Sequence, residues 1–129
     1  MTQIPESHLD LLTNGQVVLL TTLGPQGEPQ CTALWFLYED GVLRMSINES
    51  RQKLKNLRRD PRASAFFLDP ANPYRTLELR GTAEIHADPG FVFADRVGAK
   101  YHSDLRKMDK AGESRPMVTF VIENVHTFG

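Results

Sequence analysis

The chain has 129 residues, 40% of them apolar, with 15 Lys and Arg against 16 Asp and Glu. That length suits a single domain over residues 1–129 with a core of its own, and the composition excludes a disordered chain or a disulfide-stapled miniprotein. The longest apolar runs, 17–20 and 33–37, fall far short of the roughly 20 residues a membrane-spanning helix needs.

Taken in order, Pro5–Leu12 predicts a short helix stopped at Asn14-Gly15 by a left-handed residue. Val17–Leu23 predicts a strand closed by the turn Gly24-Pro25-Gln26-Gly27. Pro29–Tyr38 follows as one long strand, then Asp40-Gly41 as a tight turn, then Val42–Asn48. Arg51–Arg59 breaks the pattern. It has no β-branched residue, carries Leu54 and Leu57 three apart, and has Ser50 before it as N-cap, so it predicts a helix ended by Pro61. Ala63–Asp69 returns to strand. Tyr74–Ala87 alternates, with Leu77, Leu79, Gly81, Ala83 and Ile85 on one face. Asp88 then caps a helix with Pro89 at its first position, running to Tyr101. Residues 103–115 read as a polar, mobile segment, and Met117–Phe128 as a last strand. The fold class is mainly β: a six-stranded antiparallel barrel with two or three short helices. Strands apolar on both faces, such as Val17–Leu23, predict that a second copy covers one outer surface as a homodimer.

The net charge of −1 hides three unlike segments. Residues 1–50 carry −5, residues 51–62 carry +5, and residues 63–129 carry −1. The basic segment opens at a predicted helix start, where free backbone N–H groups already favour an anion. Ser50, Arg51, Gln52 and Lys53 add a hydroxyl, a guanidinium, an amide and an ammonium, the donors a phosphate needs. A solvated basic helix face is the competing reading. Ser50 and Lys53 also fit the S-x-x-K spacing of acyl-serine enzymes, but no S-D-N or K-T-G accompanies them. The four histidines stand at no metal-ligand spacing, and no metal is expected. Cys31, the single cysteine, reads as a buried small hydrophobe and fits a reducing compartment. MTQIPESHLD has neither a basic nor an apolar leader segment, so a cytoplasmic protein is expected. The basic residues sit on one helix apart from the aromatic strand of Trp35, Phe36 and Tyr38, which argues against a nucleic-acid barrel.

The order strand, G-P-x-G-x-P turn, strand with Trp35, D-G turn, strand ending Ser46-Ile47-Asn48, then R-x-K-x-x-N-L-x-x-D-P-R from Arg51 to Arg62, resembles a known family. It is similar to the split β-barrel, FMN-binding-type proteins of the pyridoxamine 5'-phosphate oxidase-like superfamily, and within them to the deazaflavin-dependent oxidoreductases that use coenzyme F420. The resemblance implies a homodimer with cofactor sites at the subunit interface and F420, or alternatively FMN, as cofactor. It places the phosphate on Ser50, Arg51, Gln52 and Lys53. It lines the ring with Ser46, Ile47 and Asn48 and with the Gln30–Leu34 strand, including Thr32 and Ala33. It brings Arg80 and Tyr101 from the other subunit. The activity it implies is hydride transfer to a conjugated small-molecule acceptor, with no nucleic-acid or membrane partner. A non-catalytic carrier of the same cofactor is the alternative. Pyridoxamine phosphate oxidases proper end in an Arg-containing substrate motif, and the segment 125–129 has none, so vitamin B6 chemistry is not expected.

Overall fold

A computed structural model describes residues 3–129; Met1 and Thr2, which begin the leader reading and the 1–129 domain, lie outside the described residues. Seven strands among them form one antiparallel sheet: β1 Val18–Leu23, β2 Pro29–Leu34, β3 Leu37–Glu39, β4 Val42–Ser46, β5 Arg62–Asp69, β6 Asn72–His86 and β7 Met117–Phe128. Their order is β2-β1-β5-β6-β7-β4-β3. The two edge strands, β2 and β3, are separated in the chain by Trp35 and Phe36 alone. The sheet therefore has to curl until its edges nearly meet, which makes it a split β-barrel.

The strand expected at Pro29–Tyr38 is thus two strands, and the count is seven rather than six. Nothing local marks the break. It is made by α3, the helix Val92–Tyr101. The Tyr101 hydroxyl accepts from the Phe36 N–H and donates to the Phe36 carbonyl, both at 3.2 Å, and Lys100 Nζ donates to that carbonyl at 2.9 Å. Backbone groups that would have joined a ladder are satisfied by side chains instead. The turn at Asp40-Gly41 has positive φ at both residues, 53° and 76°, the conformation that lets a two-residue loop follow the strand twist.

One core fills the curl. Val18 and Leu20 of β1, Leu43 and Met45 of β4, and Leu77 and Leu79 of β6 point inward. A second cluster lies outside, where Phe93 and Val97 of α3, with Leu105, cover Leu37. Asp88 caps α3 as expected, accepting from the N–H groups of Phe93 and Ala94 at 3.0 Å each. The helix begins at Val92 rather than Pro89, because Pro89–Phe91 form a separate tight turn with Gly90 and Phe91 at positive φ. The first helix is also shorter than expected: α1 is Asp10–Thr13, after a 3-10 turn at Glu6–His8. Its stop is not left-handed. Asn14 has φ −113°, and Gly15 is needed for closeness, since a Cβ there would lie 2.3 Å from the Leu11 carbonyl oxygen.

Helix α2, Gln52–Arg59, buries Leu54, Asn56 and Leu57. Asn56 seats it on the β1–β2 hairpin. Its amide donates to Thr22 Oγ1 at 3.0 Å and Gln30 Oε1 at 2.6 Å, and its oxygen accepts from Gln52 Nε2 at 2.9 Å. Asn56 and Thr22 are both fully buried, so a lost partner would leave polar atoms without water. Asn56→Ala is expected to destabilise the fold by about 2–3 kcal/mol. Urea unfolding measures this; a loss below about 0.5 kcal/mol would mean that water replaces the amide.

Candidate functional site

A cavity of about 460 Å³ opens between α2, the end of β2, the end of β4 and the α3 segment. Thr32, Ala33, Leu34 and Trp35 form one wall and Ser46, Ile47 and Asn48 the facing one. Arg51 and Lys53 stand at the α2 end; Val97, Leu105 and Met108 close the other. Of the residues expected at a site, the structure brings together Thr32, Ala33, Ser46, Ile47, Asn48, Arg51 and Lys53.

Four expected residues are not in the lining. Ser50 is not the N-cap, which is Arg51. Its N–H and hydroxyl both donate to Asn48 Oδ1 at 2.8 Å, so the hydroxyl is spent on the turn. Gln52 turns its amide back to Asn56. Tyr101 is held to Phe36 of its own chain and supports the wall from behind, its ring stacked on Trp35 with centroids 4.4 Å apart and planes 4° apart. Arg80 lies on the outer face of the sheet, in a shallow groove with Thr21, Leu23 and Ser64, and pairs with Glu78 at 3.0 Å.

The charge of the α2 segment divides sharply. Arg58 makes a two-armed pair with Glu49, Arg62 pairs with Asp60, and Arg59 donates to the Leu23 carbonyl. Arg62 holds the Asp60 carboxyl down to about 2. Arg51 and Lys53 have no carboxylate partner among the described residues. Burial, and then the Arg51 charge beside it, push the Lys53 ammonium below its ordinary pKa. The negative charge of a bound anion would offset both effects.

A second signal comes from the facing wall. Ser46 Oγ is buried without a hydrogen-bond partner, one of two such side-chain positions among the described residues, the other being Arg44 Nε. Buried hydroxyls are normally bonded, so an orphan at a cavity wall fits a polar ligand atom. The donors at the α2 end and this hydroxyl fit a phosphate-bearing ligand with polar atoms on its ring.

Sequence reasoning missed Arg115, which lines the same cavity and braces this wall. Arg115 pairs with Asp109 through two contacts, at 2.7 and 3.0 Å, and donates to the Ser46 carbonyl at 3.1 Å. Asn48 donates to the same Asp109 at 2.7 Å and to Glu113 at 3.1 Å. The 103–115 segment is therefore anchored at both ends rather than loose: Leu105 is buried, and Arg106 pairs with Asp95. The signal available was the charge order Asp109, Glu113, Arg115, which has no periodicity to raise it above a solvated loop. Cys31 also departs from expectation. It is exposed, because edge strand β2 is uncovered on that side. His8 is buried and satisfied by Ser7 and the Phe128 carbonyl, and no cluster of metal-ligating side chains occurs among the described residues.

A curled antiparallel sheet with its two edges nearly meeting and a helix inserted between β4 and β5 is the split-barrel architecture. The family described as pyridoxamine 5'-phosphate oxidase matches residues 4–128, and the chain belongs to it. Among solved structures it is similar to an F420 reductase, with 31% identity over 95% of this chain and 98% of that one and a TM-score of 0.85. A conserved hypothetical protein from Mycobacterium tuberculosis is 26% identical over 98% of this chain and 86% of its own, at TM-score 0.79. HupZ of Group A Streptococcus, 19% identical over 97% and 94% at TM-score 0.72, shares the fold. No helix among the described residues is long and apolar enough to cross a membrane.

The Asp109–Arg115 pair yields a stability prediction. Its side chains are 4% and 9% exposed, and breaking such a pair from one side strands a buried charge. Asp109→Asn is expected to cost about 3–5 kcal/mol in urea unfolding. Burial alone would raise the Asp109 carboxyl; the Arg115 and Asn48 hydrogen bonds outweigh it and lower the pKa. The carboxylate's contribution is therefore present above its unfolded pKa and lost as pH falls through the folded one. The variant should show a shallower acid limb; an unchanged limb would contradict the pair's role.

Proposed function

We propose that this protein is a reductase that binds coenzyme F420 and serves hydride transfer to a conjugated small-molecule acceptor, of quinone, enone or tetrapyrrole type. The observation that carries the reading is the conjunction, in one cavity, of two unpaired cations at a helix start with the orphaned Ser46 hydroxyl. The likeness to an F420 reductase along nearly the whole of both chains favours a deazaflavin over FMN. A bound reduced deazaflavin would supply the hydride.

The chain's own residues position and shield. Arg51 and Lys53, with the first N–H groups of α2, hold the phosphate. Thr32 and Ala33 on one wall and Ser46 and Ile47 on the other border the ring, and the Ser46 hydroxyl meets a polar edge. Asn48 fixes the Ser50 turn before any ligand arrives, so little ordering is left to be done on binding. Leu105 and Met108 exclude water from the far end. The cavity's parts come from several separate elements, and their fixed placement supplies orientation, the main contribution a protein makes to such a reaction.

A second copy of the chain completes the proposal. Leu19 and Phe66 stand opposite each other on the outer face of β1 and β5, with Val17 45% and Leu68 42% exposed beside them. Arg80 lies on that same outer face, the only route by which it would reach a cofactor being a partner's cavity. Light scattering should give about twice the 14.6 kDa of one chain; a monomer at micromolar concentration would sink the dimer.

Titration with F420 and FMN in parallel tests the cofactor. F420 is expected to bind, and Lys53→Ala to weaken it about tenfold to a hundredfold, the loss of one charge-assisted hydrogen bond of about 1.5–3 kcal/mol. A phosphate favours charged Lys53, so affinity should be full at neutral pH and decline as pH rises through the lysine's pKa. FMN binding with F420 ignored would make this an FMN enzyme; binding of neither would remove both. Bound F420 without turnover of any acceptor would leave a carrier.

A further inference from the structure

The cavity has two unlike ends, and their separation follows from β2. Gln30 is hydrogen-bonded to Asn56 of α2, whereas Trp35 is stacked on Tyr101 of α3. Five extended residues put these points roughly 16 Å apart. The α2 end is cationic, with Arg51 and Lys53; the α3 end is apolar, with Trp35, Val97, Leu105 and Met108. With the phosphate at the first end and the cofactor ring between Thr32–Ala33 and Ser46–Ile47, the apolar end beyond the ring is left for a second occupant.

We infer that the α3 end is the acceptor subsite, and that the indole of Trp35, backed by Tyr101, is the surface on which a flat conjugated acceptor stacks. The inference rests on the cofactor reading of the other end and assigns the acceptor its place. Tyr101 covers one face of the indole in a parallel stack, and its hydroxyl is tied to both backbone groups of Phe36. The plane of Trp35 is thereby set before a ligand arrives, and only the other face or edge borders the cavity. A ring already locked loses no rotamer freedom on binding, so its contact area converts efficiently into affinity. Offset stacking contributes beyond area burial, but only when the partner is also flat. Met108 adds exposed apolar surface over the buried Val97 and Leu105, with no directional group, so flatness and unsaturation, rather than a particular hydrogen bond, are what this end selects. Met108, half-exposed at the mouth and unbranched, adapts to acceptors of different outline. Trp35 is a specificity residue in this scheme and Tyr101 a positioning residue.

Trp35 is the only tryptophan in the chain, so its fluorescence reports this subsite alone. Menadione, a flat naphthoquinone, titrated into the wild-type protein without cofactor should quench that emission saturably, while cyclohexane-1,4-dione should not. Linear, unsaturable quenching equal to that of free N-acetyltryptophanamide would overturn the inference. By calorimetry Trp35→Leu should weaken menadione about threefold to tenfold, and Trp35→Phe less. Tyr101→Phe, which keeps the stacked ring but loses the tie to Phe36, should weaken menadione while shifting the emission maximum of Trp35. The F420 dissociation constant of Trp35→Leu should stay within twofold of wild type; a parallel loss would assign the indole to the cofactor ring and reject the acceptor subsite. Should Trp35→Leu fail to fold, the wild-type quenching and Trp35→Phe still decide. Saturable quenching in a protein that binds neither F420 nor FMN would keep the subsite and defeat only the cofactor reading.

Discussion

The structure depends on how one residue, Phe36, is held. A sheet whose edge strands are joined by two residues has to close on itself, and the corner leaves a backbone N–H and C=O with no strand to bond. Lys100 and Tyr101 supply what is missing from the end of α3. Left unsatisfied, such groups would each cost on the order of 1–3 kcal/mol. The Phe36 ring meanwhile is fully buried and meets Phe67 edge-on at 5.2 Å. The corner therefore ties α3 to the sheet, sets the plane of Trp35 and closes the apolar end of the cavity in one arrangement.

The opposite end is built by charge. A whole-chain balance of −1 conceals a cationic helix, yet the helix is not uniformly available. Arg58, Arg59 and Arg62 spend their guanidinium groups on Glu49, the Leu23 carbonyl and Asp60. What remains facing the cavity is Arg51 and Lys53, the two nearest the helix start. Of the six basic residues, three fasten the helix, Lys55 is exposed and two line the cavity, a division that only the three-dimensional partners reveal. The Asp109–Arg115 brace then keeps the Ser46–Ser50 segment in register with that helix start.

Much of this was legible in the sequence. The alternation of Leu77 and Leu79 in β6, the Asp40-Gly41 turn, the Asp88 cap and the leucine spacing of α2 are local signals, and the chain obeys them. The motif from Arg51 to Arg62 covers the helix that borders the cavity, and within it Asn56 seats the helix on the sheet and Asp60 ends it. What was illegible depends on distant partners. The break at Trp35-Phe36 has no glycine or proline and is made by a helix 65 residues away in the chain. Ser50 has the composition of an N-cap but is claimed by Asn48, itself held by Asp109 and Glu113. Arg115 precedes a strand with no pattern to distinguish it from a surface charge.

The claim on which the rest turns is that a redox cofactor's phosphate sits at the start of α2. A crystal structure of the protein bound to F420 tests it most directly. The account predicts the phosphate within hydrogen-bonding distance of Arg51 and Lys53, and the ring between Thr32–Ala33 and Ser46–Ile47 with a polar atom on Ser46 Oγ. A phosphate found on the outer face beside Arg80 of the same chain, or anywhere beyond reach of Lys53, would contradict it.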